Sequence, residues 1–202
     1  MNKLLLRYMQ PGDIAQVLAI DGQSFNPPWS ARSYAYEISE SSYSHMVVLT
    51  DSDTPPPTGW RRWLKSVNSS GDRGTILGYA GLWHIADEGH ISTIATHPDY
   101  RGQGYGEILL AAMIYRAITL QAGYIVLEVR VSNDVAQNLY HKYEFKTVST
   151  KVNYYRSDSE DAYDMRLDLT DQAMLSRFYD RYWAIKQRQP FVDQYSSVSN
   201  KG

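Results

Sequence analysis

In the stretch HPDYRGQGYGEILLAAMI, glycines stand at 102, 104 and 106, where an apolar run gives way to a helical pattern. Glycine is a poor helix former, but it tolerates backbone conformations in which neighbouring N–H groups converge on one point. Between a strand and a helix, such a nest adds its donors to the free N–H groups of the helix's first turn. The product suits a phosphate or a diphosphate. Arg101 adds a charged donor at the rim, and Gln103 and Tyr105 fill the turn between the glycines. Two common phosphate motifs are excluded. Gly106 is followed by Glu107 rather than by Lys-Ser/Thr, and no glycine at 107 or 109 completes a dinucleotide fingerprint. A tight strand–helix turn without a ligand is the alternative at this point.

A second candidate is Glu128, one carboxylate inside the otherwise apolar run IVLEVRV. Partial burial in a central strand is expected to raise its pKa toward the range useful for a general base. The competing reading pairs it with Arg130. Tyr140 falls four residues after Ala136 on the helical stretch DVAQNLYHKY, where a tyrosine is a core residue as readily as an acid, and Tyr143 rivals it. Asn133 or Ser132 caps that helix. Trp29, after two prolines in NPPWS, walls a slot or anchors a loop, and Tyr154 and Tyr155 stand ready to face the same slot. His84, His90 and His97 fall into no recognised zinc spacing, so no metal is expected. The chain has no cysteine, which removes disulfides, thiol nucleophiles and thiolate metal sites.

These residues need a scaffold of both kinds of element. LLLRYM reads as a strand, QPGDIAQVLAIDGQSF as a turn and helix with Asp13 near its start, and ARSYAYEISE as a helix capped by Ser30. SHMVVLT, ILGYAGLWHI and HISTIAT read as strands. EILLAAMIYRAITLQAG carries apolar residues at helical spacing and is expected to stop at Gly123. YIVLEVRV, KTVSTKVNYY and DAYDMRLDL complete the strands. Residues 51–75, with three consecutive prolines, read as a loop insertion whose centre, WRRWLK, is either a docked surface turn or a contact for nucleic acid, ribosome or membrane. Residues 1–169 form one mixed α/β domain. Residues 170–202 add a helical extension, DQAMLSRFYDRYWAIKQRQ, and a frayed end, SSVSNKG.

The 202 residues are 43% hydrophobic and 21% charged, with a formal net charge of -2, so direct nucleic-acid binding is not expected. The LLL run near the N-terminus is too short for a signal-peptide core, and no run approaches a membrane span. A cytoplasmic monomer without membrane contact is the expectation.

Taken together, HPDYRGQGYG resembles the acetyl-coenzyme-A loop of the GNAT N-acetyltransferases, with Arg101, Gly104 and Gly106 on the family's Arg/Gln-x-x-Gly-x-Gly/Ala pattern. LEVRVSNDVAQNLYHKYEF, the NYY strand and FNPPWS resemble the ribosomal-protein-alanine N-acetyltransferase group within that family. The likeness runs from about Leu4 to Leu169. It departs at Glu144, where a glycine is usual and a local backbone change is expected, at the 51–75 insertion, and after Thr170.

The resemblance implies a GNAT-like fold: a central, mostly antiparallel, twisted mixed sheet flanked by helices, with a splayed strand pair at the cofactor cleft. It implies acetyl-CoA as cofactor, held by Ile94, Ala95, Thr96, Arg101, Gly102, Gln103, Gly104, Tyr105, Gly106, Asn133 and Tyr140. It assigns Glu128 as base, directly or through water, and Tyr140 as acid for the leaving thiolate. Trp29, Tyr154 and Tyr155 are its substrate-side residues. The acceptor it implies is a protein N-terminus of the Ala/Ser type, as in a ribosomal protein, attacked directly in a ternary complex; without a cysteine, a cysteinyl acyl-enzyme is impossible. A small-molecule amine acetyltransferase and a catalytically silent acyl-CoA-binding module are the alternatives.

Overall fold

A computed structural model describes residues 4–52 and 74–196. The chain alternates between runs that bury both faces and runs that bury one, and this decides where each strand sits. In order, the elements are β1 (Leu4–Tyr8), a 3-10 turn (Pro11–Asp13), α1 (Ile14–Asp21), α2 (Ala31–Ser39), β2 (Ser44–Asp51), β3 (Thr75–Ile85), β4 (Glu88–Thr96) and a second 3-10 turn (Pro98–Tyr100). There follow α3 (Tyr105–Thr119), β5 (Tyr124–Arg130), α4 (Asp134–Lys142), β6 (Lys146–Tyr155), β7 (Glu160–Asp168), α5 (Gln172–Arg188) and β8 (Phe191–Asp193). The strands form one sheet in the order β6-β7-β5-β4-β3-β2-β1-β8. Only β4–β5 and β1–β8 pair in parallel; the other neighbours are antiparallel. This is the mixed, mostly antiparallel sheet with flanking helices that the family resemblance implied.

β2 is buried on both faces, which is why SHMVVLT is continuously apolar rather than alternating. Val47 and Leu49 enter the larger core with α3, while Met46 and Val48 enter a smaller one with Val17 and Ile20 of α1 and Tyr34 of α2. α3 is buried on nearly every side, from Ile108 through Ile114 and at Arg116 and Ala117, because α5 covers what the sheet leaves open. The helix stops earlier than Gly123 would suggest. Thr119 is its last residue, and Gln121, at φ 62°, takes the left-handed position.

The C-terminal segment is better ordered than its composition implies. α5 buries Met174, Phe178, Tyr182 and Ile185 at helical spacing, β8 adds a strand to the sheet edge, and Tyr195 is fully buried. Ser196, where fraying was expected to begin, is buried and donates its N–H to Asp193 (2.8 Å). The sequence hid this because the apolar face, Met174, Phe178, Tyr182 and Ile185, is interrupted by charged and polar residues in almost every turn. WRRWLK and the end after Ser196 lie outside the described residues.

Glu144 gives a second correction. The backbone change expected from losing a glycine does not occur. Glu144 itself adopts φ 69°, the left-handed conformation that suits glycine after a helix. Phe145 N–H reaches Tyr140 O (3.1 Å) and Glu144 N–H reaches His141 O (2.9 Å), so the C-terminal cap of α4 is complete. The side chain explains the exception: its carboxylate accepts from Arg177 at 2.8 and 2.7 Å and from Arg181 at 2.8 Å, both on α5. These bonds hold its pKa down to about 2.

Candidate active site

The site begins where two parallel strands part. β4 and β5 pair only over Glu88–His90 and Tyr124–Val126. The register between β3 and β4 slips at Gly81/Leu82, leaving Ser92 as an extra residue on β4. A bulge turns a strand away from its neighbour. Beyond it β4 still pairs with β3 as far as Thr96, while β5 follows β7, so Ile94, Ala95 and Thr96 border a gap.

At the end of that gap lies the glycine turn. His97 caps the short Pro98–Tyr100 helix by accepting from Asp99 N–H (3.2 Å), a structural role that burial supports by pushing its pKa down. Gly102 and Gly104 have φ of 75° and 84°, the region where glycine is least costly. A Cβ at Gly102 would meet nothing within 4 Å, so the turn is open on that side. Gly104 caps α3, whose first N–H groups face the same opening. Arg101 bonds Thr96 O and Ser24 Oγ, both at 3.3 Å, and Tyr105 donates to Gln103 Oε1 (3.3 Å). A nest of N–H groups, an open side and a strand gap fit the diphosphate and the extended arm of acetyl-CoA.

On the far side of the gap stands α4. Asn133 caps it, accepting from Ala136 N–H (3.1 Å); Ser132 does not. Tyr140 is buried, and its phenol is pushed well above the usual range by burial and by Tyr155.

Glu128 behaves differently from the sequence expectation. Burial does push its carboxyl up, but hydrogen bonds from His90 and Lys151, with their charges, outweigh burial and hold it down to about 2. His90 Nε2 lies 2.8 Å from Oε2, and Lys151 Nζ lies 2.5 Å from Oε1. Arg130 is not its partner. Arg130 pairs with Asp158 (2.7 Å) and Glu160 (2.6 Å) and lies over the Tyr155 ring at 3.9 Å. His90 and Lys151 escaped the sequence reading, since the register bringing β4, β5 and β6 side chains together leaves no local signal.

Beside this cluster is a cavity of about 330 Å³ lined by Phe25, Asn26 and Pro27 from the α1–α2 loop and by Arg130, Tyr154, Tyr155 and Arg156. Tyr154 and Tyr155, expected to share a slot with Trp29, line this cavity with the loop instead, and Trp29 is not part of its lining. Trp29 stacks on Trp83 at 6.2 Å. Its N–H donates to Asp21 Oδ2 (2.6 Å). Asp21 is buried and also accepts from the hydroxyls of Tyr34 (2.7 Å) and Tyr79, so one carboxylate fastens the loop to α2 and β3. The sequence offered Asp21 only as a helical position. No group of metal-ligating side chains occurs among the described residues, and no described helix is long and apolar enough to cross a membrane.

The site defines a class of enzyme, and the comparisons agree. The model of the Acetyltransferase (GNAT) family matches residues 15–145, and the chain belongs to that family. A candidate ribosomal protein bS18-alanine N-acetyltransferase from Bacillus subtilis (strain 168) is 32% identical over 170 residues, covering 84% of this chain and 99% of the relative. The crystal structure of the ribosomal-protein-S18-alanine N-acetyltransferase from Escherichia coli matches with a TM-score of 0.65 at 25% identity, over 83% of this chain and 95% of that one. Arabidopsis thaliana NAA60 in complex with acetyl-CoA shares the fold, with a TM-score of 0.66 at 14% identity, over 83% and 99%. The protein is an acetyl-CoA-dependent N-acetyltransferase related to the ribosomal-protein N-acetyltransferases.

Proposed function

We propose that the protein acetylates the α-amine of a protein N-terminus, of the Ala- or Ser-starting type found among ribosomal proteins, in the cytoplasm and as a monomer. The observation that carries this reading is the aromatic-walled cavity beside Glu128, large enough for the first residues of a peptide and bounded by two chain segments. The names of the relatives support the same acceptor.

The cofactor supplies an activated acetyl thioester. The chain's part is to bring the amine to it and to manage two protons. The amine nitrogen bonds to the acetyl carbon as the carbon–sulfur bond breaks. Glu128 attracts the acceptor ammonium; as Lys151 gives way, one of the two partners holding the carboxyl at about 2 is lost and the carboxylate, made more basic, takes the ammonium proton directly or through water. Lys151 is 38% exposed and is the partner able to swing aside when the acceptor ammonium takes its place. Tyr140, whose ring is buried, gives its proton to the departing thiolate and regains one by way of water as the newly acylated nitrogen releases its second proton. Ile94, Ala95 and Thr96 offer backbone groups along the arm, Asn133 closes the far wall, and the Arg101–Gly106 turn takes the diphosphate.

The test is thiol release from acetyl-CoA with a panel of acceptors: peptides differing in their first residues, polyamines and free amino acids. Turnover with Ala- or Ser-starting peptides is expected. Turnover with small amines alone would overturn the peptide reading, and CoA binding without turnover on any acceptor would favour a silent binding module.

A further inference from the structure

The C-terminal helix ends against the glycine turn. Arg188, the last residue of α5, places Nη2 2.9 Å from Glu107 Oε2, in the first turn of α3. The same Nη2 lies 3.8 Å from where a Cβ of Gly104 would stand, and Gln189 Oε1 lies 3.2 Å from it. A guanidinium from outside residues 15–145, the span the family model matches, therefore touches the helix cap.

On the reading that this turn holds the cofactor's diphosphate, we propose that Arg188 is a phosphate ligand of the acetyl-CoA site, supplied by the C-terminal extension. Three observations carry it. A carboxylate in the first turn of an anion-binding helix repels phosphate, so Glu107 needs cations beside it. It has two, since Lys142 Nζ lies 2.6 Å from its Oε1. Tyr143 OH also donates to Glu107 Oε1 (3.0 Å), so the carboxylate keeps two partners when Arg188 turns away. Arg188 is free to turn: it is 56% exposed and uses one of its five donors on Glu107. Its planar fork suits a phosphate better than the point charge of a lysine would. The helix carrying it is fixed further back by Arg177 and Arg181 on Glu144, so the guanidinium is held at the turn without being immobilised.

Calorimetric binding of CoA and of dephospho-CoA to the full chain and to two variants tests this. Arg188→Gln is expected to weaken CoA binding about 10-fold, in line with one lost charge-assisted phosphate contact. If the contact is to the 3′-phosphate, dephospho-CoA binds both proteins alike; if it is to the diphosphate, both ligands weaken together. Either pattern supports the proposal. Arg181→Gln removes a tie of the same helix about two turns back from Arg188 and is expected to leave CoA affinity within about 2-fold. Arg188→Gln binding CoA as the wild type does, or Arg181→Gln weakening it equally, would overturn the proposal; the second result would make the effect one of helix docking. Because the readout is CoA affinity, an inactive acceptor panel with Arg188-dependent binding would leave this proposal standing while the acceptor reading fell.

Discussion

The two ends of the cleft are built from different materials. The end proposed for the cofactor is made mostly of backbone: two left-handed glycines, a helix cap and a strand released by a bulge. The acceptor end is made of side chains from five separate segments, with Glu128, His90 and Lys151 on three different strands and Asp21 fastening a loop from beneath. A backbone site tolerates any neighbour that leaves its conformation intact, whereas a side-chain site fails when one register or one partner changes. The cofactor end should therefore respond to changes in φ, and the acceptor end to changes in charge and hydrogen bonding.

Removing the charge at the acceptor end has the largest expected effect. Glu128→Gln should lower kcat/KM about 100-fold or more while leaving CoA affinity unchanged, as thiol release and calorimetry would show. Loss of CoA binding in that variant would erase the division between the ends. Next is Gly104→Ala, where φ of 84° costs a Cβ-bearing residue about 1–2 kcal/mol and the Cβ meets Gln189 Oε1 at 3.2 Å. CoA should bind about 10-fold more weakly there, since the N–H groups lose their alignment, while a peptide's KM at saturating cofactor holds.

The loop fastening predicts the opposite pattern. Asp21→Asn, which loses an acceptor for Trp29 N–H or a tyrosine, should raise the peptide KM several-fold, by about 1 kcal/mol of positioning, with CoA affinity unmoved. The pH profile sharpens the contrast. With its carboxyl held at about 2, Glu128 should give no acidic limb above about pH 4. Its folded pKa lies below the unfolded value, so the stability it contributes is present above about pH 4 and is lost as pH falls toward 2. Lys151→Met removes one of the partners holding it down and should move an acidic limb upward in pH; an unchanged profile would mean the pairing does not control the base. Smallest is Glu144. Replacing it with Ala removes the Arg177 and Arg181 bonds and should cost about 1 kcal/mol by thermal unfolding. Gly at the same position should recover about that much by relieving φ of 69°.

The same division explains what the sequence revealed. Gly102 and Gly104 announce the turn proposed for the cofactor because their left-handed backbone leaves its requirement in the residue type itself; Gly106 sits inside α3 with no such requirement. Glu128 was visible as one charge in an apolar strand, and Tyr154 and Tyr155 as an aromatic pair. His90 and Lys151 were not, because only the pairing of β5 with β4 and β7, and of β7 with β6, brings them to one carboxylate. The pKa of Glu128 was misjudged in direction for the same reason: burial was legible, but its partners were not. Trp29 carried an obvious aromatic signal, but it stacks on Trp83 and is not in the cavity's lining, and its loop is fastened by Asp21, whose type gave no such signal. The extension from Thr170 gave a weaker signal because its mixed aromatic and aliphatic face and the Glu144 anchor become meaningful only once α5 is laid over α3 and the end of α4.

The most direct measurement is the site of acetylation on an Ala-starting peptide that also carries an internal lysine, incubated with acetyl-CoA and either wild-type protein or Glu128→Gln and sequenced by fragmentation mass spectrometry. The account predicts one acetyl group on the α-amine with the wild type and nearly none with the variant. Acetyl on the lysine side chain, or α-amine acetylation that persists in Glu128→Gln, would contradict it.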